Sequence, residues 1–69
     1  MKALVTGGGG FLGKAIVTML RERGDEVRSF SRNKHPGLEE LGVEHFRGEL
    51  NDAEAVTKAA SGCNVVFHV

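Results

Sequence analysis

Four consecutive glycines at positions 7–10, followed by Gly13, constrain this 69-residue chain more than any other feature. They separate a short apolar run, Lys2–Thr6, from a segment whose apolar residues recur at helical spacing. An apolar run that stops at glycine is typical of a buried parallel strand, and we predict a helix over Phe11–Arg23, ended by Gly24. The apolar positions of this helix are Leu12, Ile16, Met19 and Leu20. The chain is therefore predicted to begin with a strand, followed by a glycine turn and a helix.

Three more predicted strands alternate with helical segments along the rest of the chain. They cover Glu26–Ser31, Val43–Arg47 and 64–69, with a helical turn at 38–41 and a helix over Ala53–Ala60. Asp52 is placed to cap that helix, and Gly62 to end it. Strands separated by helices favour right-handed crossovers and a parallel sheet. We predict an α/β fold with a sheet of about four strands in the order 3-2-1-4 and helices on both faces.

The glycines have separate uses where a strand leads into a helix. Gly7 permits a tight turn, Gly10 lets the backbone approach a pyrophosphate, and Gly13 lets helix and strand pack closely. The free N–H groups of Gly10, Phe11 and Leu12 would face the anion, together with the positive end of the helix dipole. A turn without a ligand needs only one or two glycines. The pattern therefore predicts a dinucleotide-binding loop.

A phosphate loop of the NTPase type is the alternative interpretation of the same segment. Gly8, Gly13 and Lys14 match its spacing, with four residues between the glycines. The next position, however, is Ala15, where such a loop needs a serine or threonine hydroxyl to hold magnesium. Because alanine offers no oxygen, we expect a dinucleotide rather than a nucleoside triphosphate.

The end of the second strand bears on the choice of cofactor. An NAD site of this kind has an acidic residue there, about 20 residues beyond the glycines, to bind the ribose hydroxyls. Here the positions hold Ser31 and Arg32, whereas Asp25 and Glu26 lie at the strand's start. A guanidinium suits a 2′-phosphate, and the serine adds a hydroxyl. We predict NADP, with NAD as the alternative; an ordinary surface charge is the other interpretation of Arg32.

Composition excludes several classes of protein. Nine basic residues balance nine acidic ones, which leaves no electrostatic footprint for nucleic acid or an anionic membrane. The longest apolar runs are far below the roughly 20 residues of a membrane helix. Cys63 is the only cysteine, so no disulfide can form within the chain. We expect a cytoplasmic protein that binds neither nucleic acid nor membrane.

The pattern Thr6-Gly-x-x-Gly-x-x-Gly13 resembles the extended short-chain dehydrogenase/reductase family, especially its 3β-hydroxysteroid dehydrogenase and sugar epimerase/dehydratase branches. The likeness covers all 69 residues and implies a partial Rossmann fold. It implies that the turn at 48–52 lines the adenine pocket, with Glu49 where the family usually has aspartate, and Leu50 beside it. An acidic loop that leads into the cap of the next helix is the alternative interpretation of this turn. It also makes Val65–Val69 similar to the family's fourth strand, which passes the cofactor's ribose.

The resemblance further implies a division of labour within a longer protein. The family's catalytic Tyr-x-x-x-Lys pair does not occur here, since the chain contains no tyrosine. We expect residues 1–69 to be the N-terminal part of an NAD(P)-binding domain whose remainder is absent. The parent would be an oxidoreductase that transfers a hydride between NADP(H) and a secondary alcohol or ketone, and only the parent would bind that small-molecule substrate. A non-catalytic NADP sensor is the alternative.

Size leads to one more expectation. A chain this short buries too little surface for robust stability, and the apolar fourth strand would present an unpaired sheet edge. We expect the chain alone to be catalytically inactive and marginally folded. The exposed edge would favour self-association.

Overall fold

A computed structural model describes residues 1–7 and 9–69, so the NTPase-type spacing that starts at Gly8 begins outside the described residues. The elements are β1 (Lys2–Thr6), α1 (Phe11–Glu22), β2 (Glu26–Ser31), a 3₁₀ turn (Glu39–Leu41), β3 (Glu44–Arg47), α2 (Ala53–Ala60) and β4 (Val65–His68). All the predicted elements are present, and their limits differ from the prediction by one residue at a few ends. In the described part of the chain, no helix is long and apolar enough to cross a membrane.

The four strands form one parallel sheet in the order β3-β2-β1-β4, as predicted. On β1, Thr6 lies opposite Phe30 of β2 and His68 of β4, while Ser31 of β2 lies opposite Arg47 of β3. The carboxyl ends of all four strands therefore meet along one edge. The chain changes direction between β1 and β4, and ligands of open α/β sheets bind at such a switch point.

The two helices cover opposite faces of the sheet. Val17 of α1 packs in one buried cluster with Val5 of β1. Ala59 of α2 packs in a second cluster with Leu4 and Phe30. Because residues alternate between faces along a strand, neighbouring residues of β1 serve different clusters. The predicted placement of helices on both faces is confirmed.

The buried side of α1 differs from the predicted apolar stripe. Leu12 and Met19 are 61% and 49% exposed, although both belong to the expected pattern. The side that faces the sheet consists of Gly13, Ile16, Val17 and Leu20. Gly13 rather than Leu12 begins the stripe because a residue without a side chain allows the closest approach of helix to strand. The helix was predicted correctly, but its rotation was offset by about one residue.

Arg28 fixes the end of α2 against the sheet. Its guanidinium donates hydrogen bonds to the carbonyls of Ala59 (3.0 Å) and Ser61 (2.7 Å) and lies 5.0 Å from the centre of the Phe46 ring. Carbonyls at the end of a helix lack partners within the helix, and a cation is favoured there by the helix dipole. This contact holds the helix that follows the turn at residues 48–52.

Candidate dinucleotide site

Gly7 follows β1 directly, in a conformation that the fold itself restricts to glycine. Its φ is 76°, in the left-handed region. A methyl group placed on it would also lie 2.9 Å from the carbonyl oxygen of Val69. Strain and crowding therefore both exclude a side chain here, whether or not a ligand is bound.

Gly10 is different, because the described protein leaves room for a side chain. It is the N-cap of α1, with φ −78° and ψ 172°, a conformation open to any residue. Among the described residues, a methyl group placed there would contact only the Gly7 carbonyl oxygen, at an ordinary 3.6 Å. The fold does not explain this glycine, whereas a ligand lying against the backbone would.

The start of α1 carries N–H donors that have no backbone acceptor within residues 1–7 and 9–69. The N–H of Gly10 donates to the Gly7 carbonyl at 3.2 Å. From the sequence this N–H was predicted to be free, and that prediction is wrong. The N–H groups of Phe11 and Leu12 have no backbone acceptor among the described residues. No acidic side chain lies in the first turn, and the Phe11 side chain is 96% exposed. This helix end is open and suited to an anion.

A pocket of about 230 Å³ connects the end of β1 with the ends of β2 and β3. Its lining combines backbone from the glycine turn with side chains from two other segments. Five predicted cofactor residues from distant parts of the sequence meet here. The lining residues are Gly7, Phe30, Ser31, Arg32, Gly48, Glu49, Leu50 and Val69. The other predicted residues, Gly10, Phe11, Leu12 and Gly13, lie at the adjoining start of α1.

Arg32 and Glu49 face each other across this edge of the sheet. Nε of Arg32 is 3.9 Å from a carboxylate oxygen of Glu49, and both side chains are mostly exposed. An exposed ion pair of this kind is weak and easily exchanged for another partner. The Ser31 hydroxyl donates to the Asn33 carbonyl at 2.6 Å, so it can offer a ligand only its oxygen as an acceptor while that bond is kept.

A second, more polar pocket of about 380 Å³ adjoins the first. We call it the arginine pocket; it is lined by Arg32, Asn33, Arg47, Gly48 and Glu49. Nε of Arg47 donates to the Arg32 carbonyl at 3.0 Å. The sequence interpretation missed Arg47. Its position at the end of β3 was the available signal, since parallel pairing sets it beside Ser31.

The carboxylates near the start of β2 lie at the opposite edge of the sheet. Asp25 is 3.4 Å from the N-terminal ammonium group and 3.4 Å from Nε of Arg23. Glu26 pairs with Lys2 at the start of β1. Among the described residues that line the two pockets, Glu49 is therefore the one carboxylate.

His45 lies on β3, two residues before Arg47. Its Nδ1 is 2.8 Å from the buried Ser29 hydroxyl, and its Nε2 is buried without a hydrogen-bond partner. Burial lowers the pKa of His45 below 6.5, and the positive charges of His35, Lys34 and Arg47 lower it further. At neutral pH the imidazole of His45 is therefore uncharged.

Lys14 does not turn toward the start of its own helix. A methyl group on Gly37 would lie 3.1 Å from its Nζ, so the ammonium group lies beside the segment that follows β2. Ala15 is exposed and has no oxygen-bearing side chain. The described residues thus provide no hydroxyl at the position where an NTPase loop holds magnesium.

Comparison with known proteins places these features in a family. Residues 7–69 match a family model described as NAD(P)H-binding. The chain is 52% identical over 68 residues to the 2-alkyl-3-oxoalkanoate reductase of Stenotrophomonas maltophilia, which covers 99% of this chain and 21% of that protein. It is 42% identical over 67 residues to the 3-beta-hydroxysteroid dehydrogenase of Mycolicibacterium neoaurum, covering 97% of this chain and 18% of that protein.

A solved structure agrees with the sequence comparisons. A short-chain dehydrogenase/reductase superfamily protein from Agrobacterium tumefaciens, crystallised with bound NAD, superposes with a TM-score of 0.82 at 35% identity. The match covers 100% of this chain and 20% of that one. The chain thus spans about a fifth of the length of the curated relatives that it matches.

Proposed function

This chain belongs to the extended short-chain dehydrogenase/reductase family as an NAD(P)-binding portion, and from that premise we propose that it prefers NADP(H) to NAD(H). In this proposal the pyrophosphate lies on Gly10 and the start of α1, and the adenosine occupies the pocket between β1 and the turn after β3. Glu49 accepts a hydrogen bond from the adenine amino group, with Leu50 against the ring. Arg32, beside Ser31, binds the 2′-phosphate.

The observation that carries the proposal is the convergence of backbone and charge at one edge of the sheet. The pocket runs from Gly7 to Arg32 and Glu49, and the open start of α1 lies next to it. NADP needs this combination, because its pyrophosphate is bound by N–H groups and its 2′-phosphate by a guanidinium. An acidic residue at the end of β2, which would repel a 2′-phosphate, is replaced here by Arg32.

For the whole protein we propose hydride transfer between NADP(H) and a secondary alcohol or ketone. The relatives support this substrate class, since one is named for an oxoalkanoate and another for a 3-beta-hydroxysteroid. Both names describe a carbonyl or hydroxyl group on a largely apolar molecule. The described residues of this chain contribute the cofactor contacts, and the proton-transfer residues are expected outside positions 1–69.

Titration of both cofactors against the purified protein and its Arg32→Ala variant tests the proposal. A charge-assisted contact is worth about 1.5–3 kcal/mol, so we expect NADP to bind about tenfold or more weakly to the variant and NAD to be nearly unaffected. Arg23→Ala is the matched control, because Arg23 lies at the opposite edge of the sheet. Equal wild-type affinities for the two cofactors would contradict the proposed preference.

A further inference from the structure

We propose that Arg47 is a second ligand of the 2′-phosphate and that it determines cofactor preference together with Arg32. This inference rests on the proposed function and adds to it a residue from a different strand. Arg47 is the last residue of β3, opposite the last residue of β2, Ser31. Adjacent parallel strands are about 4.8 Å apart, so both arginines reach the same volume in front of the sheet.

One hydrogen bond fixes the base of the Arg47 guanidinium. Its Nε donates to the Arg32 carbonyl at 3.0 Å. The Arg47 side chain makes no other hydrogen bond with the described residues. The terminal nitrogens therefore keep their donors for a ligand. A planar guanidinium with four remaining N–H donors is well suited to phosphate oxygens. The bond also ties the two arginines together, because the carbonyl of one orients the side chain of the other.

The charges in the arginine pocket favour phosphate binding by Arg47. Glu49 lies 3.9 Å from Arg32, whereas no carboxylate of the described residues lies within 4.0 Å of Arg47. Arg47 is thus the less neutralised of the two. A phosphate monoester carries a charge of about −1.5 to −2 at neutral pH, more than one half-compensated guanidinium balances. Two arginines and one glutamate leave a net positive pocket.

The location points to the 2′-phosphate rather than to the pyrophosphate. The arginine pocket shares Arg32, Gly48 and Glu49 with the pocket that extends to Gly7. A ligand that starts at the glycine turn and follows this path therefore passes the end of β2 before it reaches Arg47. The 2′-phosphate is the group that extends from the adenosine ribose of NADP and is lacking in NAD.

Two small ligands isolate the contact. Adenosine 2′,5′-bisphosphate and 5′-AMP differ only in the 2′-phosphate, so the ratio of their dissociation constants reports that group alone. We expect Arg47→Gln to weaken the bisphosphate by about five- to tenfold and to change AMP by less than about twofold. Arg23→Gln is the control for loss of one distant positive charge. A thermal melt of each variant reports the fold.

The pH dependence supplies a readout that a purely structural role would not change. A phosphate monoester takes its second negative charge near pH 6. The wild-type protein should therefore bind the bisphosphate more tightly as the pH rises from about 5.5 to 7.5, while AMP, whose own 5′-phosphate titrates in the same range, supplies the reference. In Arg47→Gln the additional rise seen with the bisphosphate should be smaller.

The outcomes separate this inference from the proposed function. If Arg32→Ala reduces the preference for the bisphosphate and Arg47→Gln does not, the proposed function stands and the role of Arg47 is overturned. Equal weakening of both ligands by Arg47→Gln also overturns it, since that would show a general effect on the site. If Arg47→Gln fails to fold, Arg47→Met decides: it keeps much of the aliphatic stem but removes the charge and the donors, so an unchanged ratio of affinities would overturn the inference.

Discussion

The start of α1 and the arginine pocket lie along the same edge of one sheet but are built in opposite ways. At the start of α1, backbone N–H groups are presented and side chains are absent or directed outward, as at Gly10 and Phe11. In the arginine pocket, side chains from β2, from β3 and from the turn after β3 surround a common volume. The first region suits any dinucleotide, whereas the second distinguishes one dinucleotide from another.

The difference shows which kind of recognition is visible in a sequence. A backbone site requires glycine at set positions, and a run of glycines between strand and helix is conspicuous. A side-chain site requires only that suitable residues meet after folding. Each of its residues then resembles an ordinary surface charge until strand pairing is known.

The largest expected effect is that of Gly10→Val. The added side chain would occupy the space of the pyrophosphate and remove contacts to both cofactors, so we expect NAD and NADP to bind about 100-fold or more weakly. Because a methyl group there meets only the Gly7 carbonyl oxygen among the described residues, the circular dichroism should stay that of the folded protein, and the melting temperature should fall far less than in Gly7→Val. Retained binding of either cofactor would mean that the glycine segment is only a turn.

Gly7→Val is the matched control for that experiment. The φ of 76° and the 2.9 Å approach to Val69 make a side chain costly to the fold, so the variant should lose stability even without cofactor. If both variants melted alike, the distinction between a glycine kept for the fold and a glycine kept for the ligand would be wrong.

An intermediate effect is expected at Glu49, which has two proposed interactions. Glu49→Gln keeps an oxygen for the adenine amino group but removes the charge opposite Arg32. NADP should then bind up to about fivefold more tightly, with NAD little changed, because an exposed pair is worth about 0–1 kcal/mol. Glu49→Ala should weaken both cofactors. Calorimetric titrations of both variants with NADP and with NAD measure these affinities. Selective loss of NADP binding in Glu49→Gln would show that Glu49 instead positions Arg32.

The smallest expected effect is a decrease in the stability of the fold at acidic pH, caused by His45 on β3. The pKa of His45 is lowered in the folded chain, so the unfolded chain binds a proton more readily. The stabilisation from this group is complete above about pH 6.5 and falls as the pH drops from there toward the folded pKa. Melting temperatures between pH 7.5 and 5 should decline less steeply in His45→Gln than in wild type. His68→Gln is the control, because it removes an imidazole on β4 that is not among the groups lowering the pKa of His45. An equally steep decline in His45→Gln would remove His45 as the cause.

Much of the fold was predictable from local signals. The strand order, the two-sided arrangement of helices and the Asp52 cap, whose carboxylate accepts from the Ala55 N–H at 3.2 Å, follow from periodicity, glycine stops and crossover handedness. The rotation of α1 was missed because Gly13 carries no apolar signal although it begins the buried stripe.

The candidate site was predictable in part. Its backbone contacts are marked by glycines in the sequence, whereas its side-chain contacts depend on which strands pair. The nine proposed cofactor residues lie at one edge of the sheet, but Arg47 and the Arg32–Glu49 pair depend on which strand ends meet. The bond from the Gly10 N–H to Gly7 likewise depends on the exact turn. Self-association, marginal stability and cellular location stay predictions.

The crowding of Gly7 by Val69 has a consequence for how the chain reaches its native state. The pairing of β1 with β4 joins residues about 62 positions apart, as in the bond between Lys2 and Asn64. Closing so long a loop costs entropy before any contact compensates for it, and such long-range pairing slows folding. The contact that Val69 makes beside Gly7 is therefore complete only once β4 has paired with β1. We therefore expect a dinucleotide to stabilise the chain by binding the sheet in which β4 is already paired.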